Sequence, residues 1–183
     1  MVGDCSAREP DRGANLTANP VFTIGHSNVP LEGLLSLLEK YDIRVLIDVR
    51  SMPYSRYAPQ ANREVVEAAV KATGRKYLFM GEQLGGQPRD IEIRDGAGNT
   101  DYSNLAAAES VQAGLDRILR VAAEYRVCLL CSEEDPSRCH RGLLVGRELA
   151  KRGLDVKHIR HDGSVESQGD LEKRLPPVQR SLF

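Results

Sequence analysis

The segment from residue 131 to residue 141 joins an apolar run to an amphipathic one and is rich in reactive side chains. Two serines, three acids and Arg138 lead into a Cys-His-Arg triplet. Arginine near the start of a helix offers planar N–H donors, and the helix start adds free backbone N–H groups and partial positive charge. We therefore expect an anion-binding site, with Ser132 orienting the ligand and Arg138, His140 and Arg141 binding it.

The acids of this segment leave a second interpretation open. Glu133, Glu134 and Asp135 could neutralise Arg138 and Arg141 as internal ion pairs. Glu133 comes just after an apolar run, where a carboxylate is well placed for acid/base chemistry.

Gly25-His26-Ser27 follows another apolar run. Histidine titrates near neutrality, so His26 is a candidate general acid or base, with Ser27 orienting the ligand. Gly25 would allow a tight turn or a close approach to a ligand. The alternative is a turn histidine whose ring bonds only to backbone.

A third segment begins inside the apolar run 43–49, which contains Asp48. A buried carboxylate is costly unless it is paired, so we expect a structural ion pair with Arg56 or Arg141. The sharper hypothesis makes Asp48 a catalytic carboxylate. A divalent metal held by Asp48 and Glu133 is a possible cofactor under that hypothesis.

Further basic and hydroxyl side chains extend the expected lining. Tyrosines interleave with them, which would suit a sugar-phosphate or a stacked base, although an exposed polar loop is the alternative. The glycine-rich stretch 85–89 is either a lid or a mobile insertion. His158 and His161 are interpreted as surface residues at a strand end. The additional binding candidates are Arg50, Ser55, Arg56 and Arg89.

The cysteines give weaker signals. Nearby acids would raise the pKa of Cys131 and disfavour a thiolate nucleophile there. Cys128 and Cys131 lie three apart in a predicted strand and so face opposite ways. Cys131, Cys139 and His140 could converge on a metal, but no fourth ligand is evident, so no metal site is predicted. A redox pair of Cys131 and Cys139 stays open.

The elements that must position these residues alternate between apolar strands and amphipathic helices. Strands that are apolar throughout are covered on both faces, and helices between them indicate a mostly parallel sheet. The sequence thus predicts an α/β fold, a three-layer α/β/α sandwich, with ligands beyond the carboxyl ends of the strands. The predicted strands are 21–24, 43–49, 76–79, 127–131 and 156–160; helices are predicted after residue 30, over 63–73, around 111–122, over 139–152 and over 170–175; a long loop is predicted over 80–104.

The length and net charge of the chain limit the class of protein to which it can belong. A chain of 183 residues with net charge −1 indicates one globular domain without a uniformly basic surface. We expect tails at 1–20 and 176–183 around a single domain at 21–175. Without a membrane-length apolar run or a signal-like N-terminus, the expected location is cytoplasmic.

The motifs also occur in an order that resembles the domain of unknown function 488 family. The resemblance runs from about Val21 to Leu175. It implies an α/β fold, but no activity; some members carry a DNA-repair label. The segments that carry it are Thr23–Ser27, Leu46–Arg56, Leu84–Gly86, Leu129–Glu133 with Pro136, Cys139–Arg141, Val156–Ile159 and Asp162-Gly163.

Together the residues favour an enzyme acting on a small anionic substrate that bears phosphate, such as a nucleotide or a nucleic-acid end. His26 and Glu133 would share the acid/base work. The alternative is a non-catalytic accessory module that binds nucleotides or nucleic acid. No membrane partner is expected, and the sequence leaves the oligomeric state open.

Overall fold

The computed structural model describes residues 19–87 and 101–176 and contains a six-stranded sheet. Its strands are β1 Val21–Gly25, β2 Val45–Asp48, β3 Lys76–Phe79, β4 Val127–Cys131, β5 Val156–Ile159 and β6 Val165–Ser167. The α-helices of the described residues are α1 Leu31–Lys40, α2 Arg63–Ala72, α3 Gly81–Leu84, α4 Tyr102–Ala107, α5 Glu109–Glu124, α6 Arg147–Lys151 and α7 Gln168–Arg174. A π-helical segment, Arg141–Gly146, leads directly into α6.

The strand order is β3-β2-β4-β1-β5-β6, and every pairing is parallel except that of β5 with β6. The α/β class and the mostly parallel sheet are therefore confirmed. β4 lies between β1 and β2, although it follows both in sequence. This order places the carboxyl ends of β1, β4 and β2 side by side, which is where ligands bind in sheets of this type.

Two hydrophobic clusters take alternate residues of the central strands. One contains Val127 and Leu129 of β4 and packs them with α5 and α6. The other contains Cys128 and Leu130 and packs them with α1 and α2. Since neighbouring residues of a strand point to opposite faces, this alternation explains why the strand sequences are apolar throughout.

The predicted elements differ from the observed ones in detail. The helix expected over 139–152 exists, but its first half is π-helical. The strand β6 and the short helix α3 were not predicted, and α3 and the start of α4 fall within the expected loop 80–104. The expected tails lie largely outside the described residues. Among the described helices, none has both the length and the apolar character needed to cross a membrane.

The interpretation of His158 as a surface residue is wrong. His158 is fully buried, and it joins a chain of hydrogen bonds between the sheet and the last helices. Arg141 Nε donates to Thr23 Oγ1 at 3.2 Å, and the Thr23 hydroxyl lies 2.7 Å from His158 Nδ1. His158 Nε2 lies 2.9 Å from Gln168 Oε1, and the Gln168 amide donates to the Gly142 carbonyl. If the Thr23 hydroxyl donates to Nδ1 and the ring donates to Gln168 Oε1, each hydrogen bond has one donor and one acceptor. This arrangement requires a neutral His158 ring with its proton on Nε2.

Burial and the charge of Arg141 lower the pKa of His158 to about 4. Because the unfolded chain takes up this proton at higher pH than the folded one, stability should fall as the pH drops from about 6.5 to about 4. The expected loss is about 3 kcal/mol at the lower end of this window.

We predict that His158→Gln removes this pH-dependent component, because glutamine cannot be protonated there. Urea unfolding at pH 7.5, 6 and 5 measures the difference in slope between the two proteins. His161→Gln, which retains His158, should follow the wild-type slope. An unchanged slope in His158→Gln would contradict the assignment.

Candidate functional site

A cleft crosses the carboxyl ends of β1, β4 and β2. It comprises a first cavity of about 200 Å³ and a second of about 210 Å³. Arg50, Met52, Ser132 and Glu133 line both cavities, so the two adjoin. Residues that line only the first include Ser51, Tyr102, Cys131, Arg138, Cys139 and His140; those that line only the second include His26, Ser27, Tyr54, Ser55 and Tyr57. Most of the predicted site residues therefore lie around one cleft.

Asp48 lies below the cleft as half of a buried ion pair. Its carboxylate accepts from Arg50 Nε at 2.9 Å, from Arg50 Nη2 at 2.5 Å and from the Tyr77 hydroxyl at 2.6 Å. The expectation of an arginine partner is confirmed, but Arg56 and Arg141 were the wrong candidates. Because both carboxylate oxygens are engaged and Asp48 is fully buried, a metal shared with Glu133 would have to displace these partners.

Arg50 is held from both sides and still reaches the cleft. In addition to its bonds to Asp48, its Nη1 donates to the Ala61 carbonyl at 2.7 Å. The remaining N–H groups of the guanidinium are not used by these bonds. Arg50 lines both cavities with a fixed position and a charge that Asp48 already balances.

Arg141 has a different role from the one predicted. It is fully buried and lines neither cavity. Its Nη1 donates to the Glu133 carbonyl and its Nη2 to the Glu134 carbonyl, the latter at 2.7 Å. Since these acceptors are backbone carbonyls, Arg141 fixes the course of the loop after β4 and does not pair with the acids.

Gly25 is required where this loop meets β1. A Cβ at this position would lie 1.6 Å from the Glu133 carbonyl oxygen. A group does approach Gly25 closely, but it is the backbone of Glu133 and not a ligand. It brings the ends of β1 and β4 together, and His26 and Glu133 follow directly.

Arg138 and Glu133 are exposed beside the first cavity. Within residues 19–87 and 101–176, neither side chain forms an ion pair or a hydrogen bond. The alternative in which loop acids neutralise Arg138 is wrong, because Glu134 binds Arg160 at 2.7 Å and Asp135 binds Arg174 at 2.6 Å. Arg138 therefore presents a positive charge to the cleft that no described side chain balances.

His26 is buried at the edge of the second cavity. Its Nδ1 lies 2.8 Å from the Ser27 carbonyl, which can only accept, so this nitrogen carries a proton. Burial lowers the pKa of His26, and the charge of Arg50 adds to the effect. The ring is then neutral at pH 7, with a lone pair on Nε2.

The loop after β2 contributes fewer side chains to the lining of the cleft than the sequence analysis predicted. Arg56 stacks on the ring of Tyr57, 4.7 Å from its centroid, and lines neither cavity. The Ser55 hydroxyl accepts from the backbone N–H groups of Tyr57 and Ala58, so it shapes the turn. Arg89 lies outside the described residues.

The start of the glycine-rich stretch closes one side of the first cavity. A Cβ on Gly86 would lie 2.5 Å from the His140 ring, and a Cβ on Gly85 would lie 2.3 Å from Ser51 Oγ. Gln87 donates its backbone N–H to Ser51 Oγ at 3.0 Å. The absence of side chains at these glycines is what allows the stretch to pack against His140.

Cys131, Cys139 and His140 form a cluster on the wall of the first cavity. The two sulfurs lie 2.8 Å apart, and His140 Nδ1 is 3.5 Å from Cys131 Sγ and 3.9 Å from Cys139 Sγ. Burial and the contact with Cys139 raise the pKa of Cys131. For Cys139 burial acts in the same direction, but its contacts with Cys131 and His140 outweigh it and the pKa is lowered. The raised pKa disfavours a thiolate at Cys131, and its causes are burial and the contact with Cys139 rather than the nearby acids named from the sequence.

Two tyrosines were missed by the sequence reasoning. Tyr77 donates to Asp48, and Tyr102 lines the first cavity. Burial raises the pKa of Tyr102 to about 12, so its hydroxyl stays protonated at neutral pH. Nothing in the local sequence marks either residue, because each partner lies on a distant segment.

We predict that Asp48→Asn destabilises the fold by about 3–5 kcal/mol, since it leaves the buried charge of Arg50 uncompensated. Tyr77→Phe should cost about 1.5–3 kcal/mol, because it removes one hydrogen bond to a charged group. Chemical denaturation measures both. A near-neutral Asp48→Asn would show that the pair does not support the cleft.

Comparison with known proteins places the sequence of this chain in a family. The family model described as "Domain of unknown function DUF488" matches residues 30–147, which include Asp48, Arg50 and the segment 131–141 but not His26. No curated protein and no solved structure matches the chain. Because the matched region covers well over half of the sequence, the chain belongs to the DUF488 family of proteins.

Proposed function

We propose that this protein is an enzyme that binds a small phosphate-bearing substrate, such as a nucleotide or a nucleic-acid end, in the cleft formed after β1, β2 and β4. The observation that carries the proposal is the unbalanced guanidinium of Arg138 beside the fixed guanidinium of Arg50 on the same cavity. Arginine donates in a planar fork that matches the oxygens of phosphate.

The two arginines would divide the work of binding. Arg138 is exposed, so it can follow the ligand as it enters. Arg50 is fixed by Asp48 and Ala61, so it holds a bound phosphate without losing further side-chain entropy. Ser132, which follows β4, lines both cavities and would orient the ligand.

His26 and Glu133 supply the acid/base groups of the proposal. Within the described residues nothing bonds to His26 Nε2, so its lone pair is available to accept a proton from a nucleophile. Glu133 is exposed and unpaired in the same part of the chain, and it lines both cavities. In hydrolysis of a phosphate ester, His26 Nε2 would accept a proton from the attacking water as the P–O bond to the leaving group breaks. The imidazolium would then return that proton to the leaving-group oxygen, directly or through the Glu133 carboxylate that lines both cavities.

A second candidate function is a nucleic-acid-binding accessory module without turnover. It is favoured by the exposed side chains around the second cavity, where Met52, Tyr54 and Tyr57 are 75%, 72% and 78% exposed. Aromatic rings beside an arginine suit the stacking of an unpaired base. The two candidates share the phosphate contacts and differ in whether His26 matters.

We predict that inorganic phosphate and AMP raise the melting temperature of the wild-type protein, because a ligand that binds only the native state stabilises it. Arg138→Ala should weaken AMP binding by about 10- to 100-fold, since it removes one charge-assisted hydrogen-bonding group. Thermal shift and calorimetric titration provide the measurement. Arg117→Ala is the matched control, because Arg117 is an exposed arginine of α5 outside the cleft.

Turnover separates the two candidates. Release of phosphate from AMP and from a 5′-phosphorylated oligonucleotide should fall by about 100- to 10,000-fold in His26→Ala and in Glu133→Gln. Salt-sensitive binding of the oligonucleotide with no turnover would favour the accessory module. Equal affinity of the wild type and Arg138→Ala for AMP would contradict the proposal that the phosphate binds in this cleft.

A further inference from the structure

The cluster of Cys131, Cys139 and His140 is not used by the proposed acid/base chemistry. Its members come from the end of β4 and from the residues just before the π-helical segment. Their exposed fractions are only 4%, 4% and 8%. Each offers one donor atom, and all three donor atoms lie within 4.8 Å of one another.

The orientation of His140 is set from its other side. His140 Nε2 lies 2.9 Å from the Val49 carbonyl, which can only accept, so Nε2 carries the proton. The lone pair is then on Nδ1, the nitrogen that faces both sulfurs. Histidines that bind metals usually have this arrangement, with the second ring nitrogen donating to a carbonyl or carboxylate.

We propose that Cys131, Cys139 and His140 bind one Zn²⁺ ion, with a fourth coordination position open to the first cavity. Two thiolates and an imidazole are soft and borderline donors that suit zinc and disfavour magnesium or calcium. Three protein ligands with one open position are typical of catalytic zinc sites and not of closed structural ones.

Charge balance supports a divalent ion. Two thiolates carry two negative charges, and a neutral imidazole adds none. A divalent cation brings the buried cluster to neutrality, which avoids the large cost of an uncompensated buried charge.

The spacing requires a small adjustment. With Zn–S bonds of about 2.3 Å and tetrahedral angles, two sulfurs lie about 3.8 Å apart, and a sulfur and a ring nitrogen about 3.5 Å apart. The sulfur–nitrogen distances of 3.5 and 3.9 Å already fit. The sulfurs, at 2.8 Å, must separate by about 1 Å, a shift that rotation of two short side chains provides.

A fourth ligand could reach the ion from the first cavity. The cluster lines the same cavity as Ser132, Glu133 and Arg138. Water or a donor atom of a bound ligand can therefore complete the coordination. The proposal does not rest on phosphate binding, because the three ligands converge whether or not Arg138 is occupied.

Metal analysis and cobalt substitution of the full chain test the site. Purified reduced protein should contain about one equivalent of zinc. The metal-free reduced protein should bind Zn²⁺ with a rise in melting temperature and bind Co²⁺ with thiolate-to-cobalt charge-transfer absorption. Cys131→Ser, Cys139→Ser and His140→Gln should each lower metal affinity by at least 10-fold. Arg138→Ala should weaken AMP binding by about 10- to 100-fold and keep the cobalt spectrum, which separates this proposal from the previous one.

Cys128→Ala is the matched control, because Cys128 is buried in the same strand but belongs to the opposite hydrophobic cluster. It should retain one equivalent of metal. Reduced wild-type protein that binds neither Zn²⁺ nor Co²⁺ would overturn the proposal, as would retention of the cobalt spectrum in all three ligand variants. A Cys131–Cys139 disulfide found by mass spectrometry in protein that binds no metal after reduction would assign the pair to redox chemistry instead.

Discussion

The cleft depends on the complete burial of one arginine. Arg141 donates to two carbonyls of the loop after β4 and to Thr23 of β1, so its charge is solvated by oxygens of the protein. Removal of this guanidinium would take one donor from each of these two carbonyls and from the Thr23 hydroxyl, at the cost of a lost hydrogen bond for each. The hydrogen bonds of Arg141 and the absence of a side chain at Gly25 together fix the positions of Ser132 and Glu133. These two residues line both cavities of the cleft.

Arginine has three distinct uses around this edge of the sheet. Arg141 organises backbone, Arg50 balances a buried carboxylate while it lines the cleft, and Arg138 is exposed without a described partner. Their accessibility to a ligand rises in that order. A count of basic residues would treat the three arginines as equal. Only Arg138 has its whole charge available for an anion. The strength of the site therefore depends on which charges are already balanced.

The placement of the cleft could be predicted from the sequence, but most pairings inside it could not. Apolar strands alternating with helices imply a parallel sheet, and the carboxyl ends of such strands meet at one edge, so His26, Arg50 and Ser132 were expected together. The partner of Asp48 depends on side-chain direction at the end of β2, which strand spacing does not specify.

The same limit applies to His158, whose surroundings include strand β6, which was not predicted and pairs with β5, and Gln168 at the start of helix α7.

The cleft combines two kinds of donor that usually serve different ligands. Arginine and serine groups prefer hard, negatively charged oxygen, whereas the sulfurs and the imidazole prefer a borderline metal cation. These preferences are compatible when a metal and an anion occupy neighbouring positions, because each then lowers the electrostatic cost of the other. His140 links the two sets, since its Nδ1 faces the sulfurs while its Nε2 is held by Val49 beside Asp48 and Arg50. A shift of the β2 end would therefore alter the proposed metal ligand His140 and the proposed anion-binding Arg50 together.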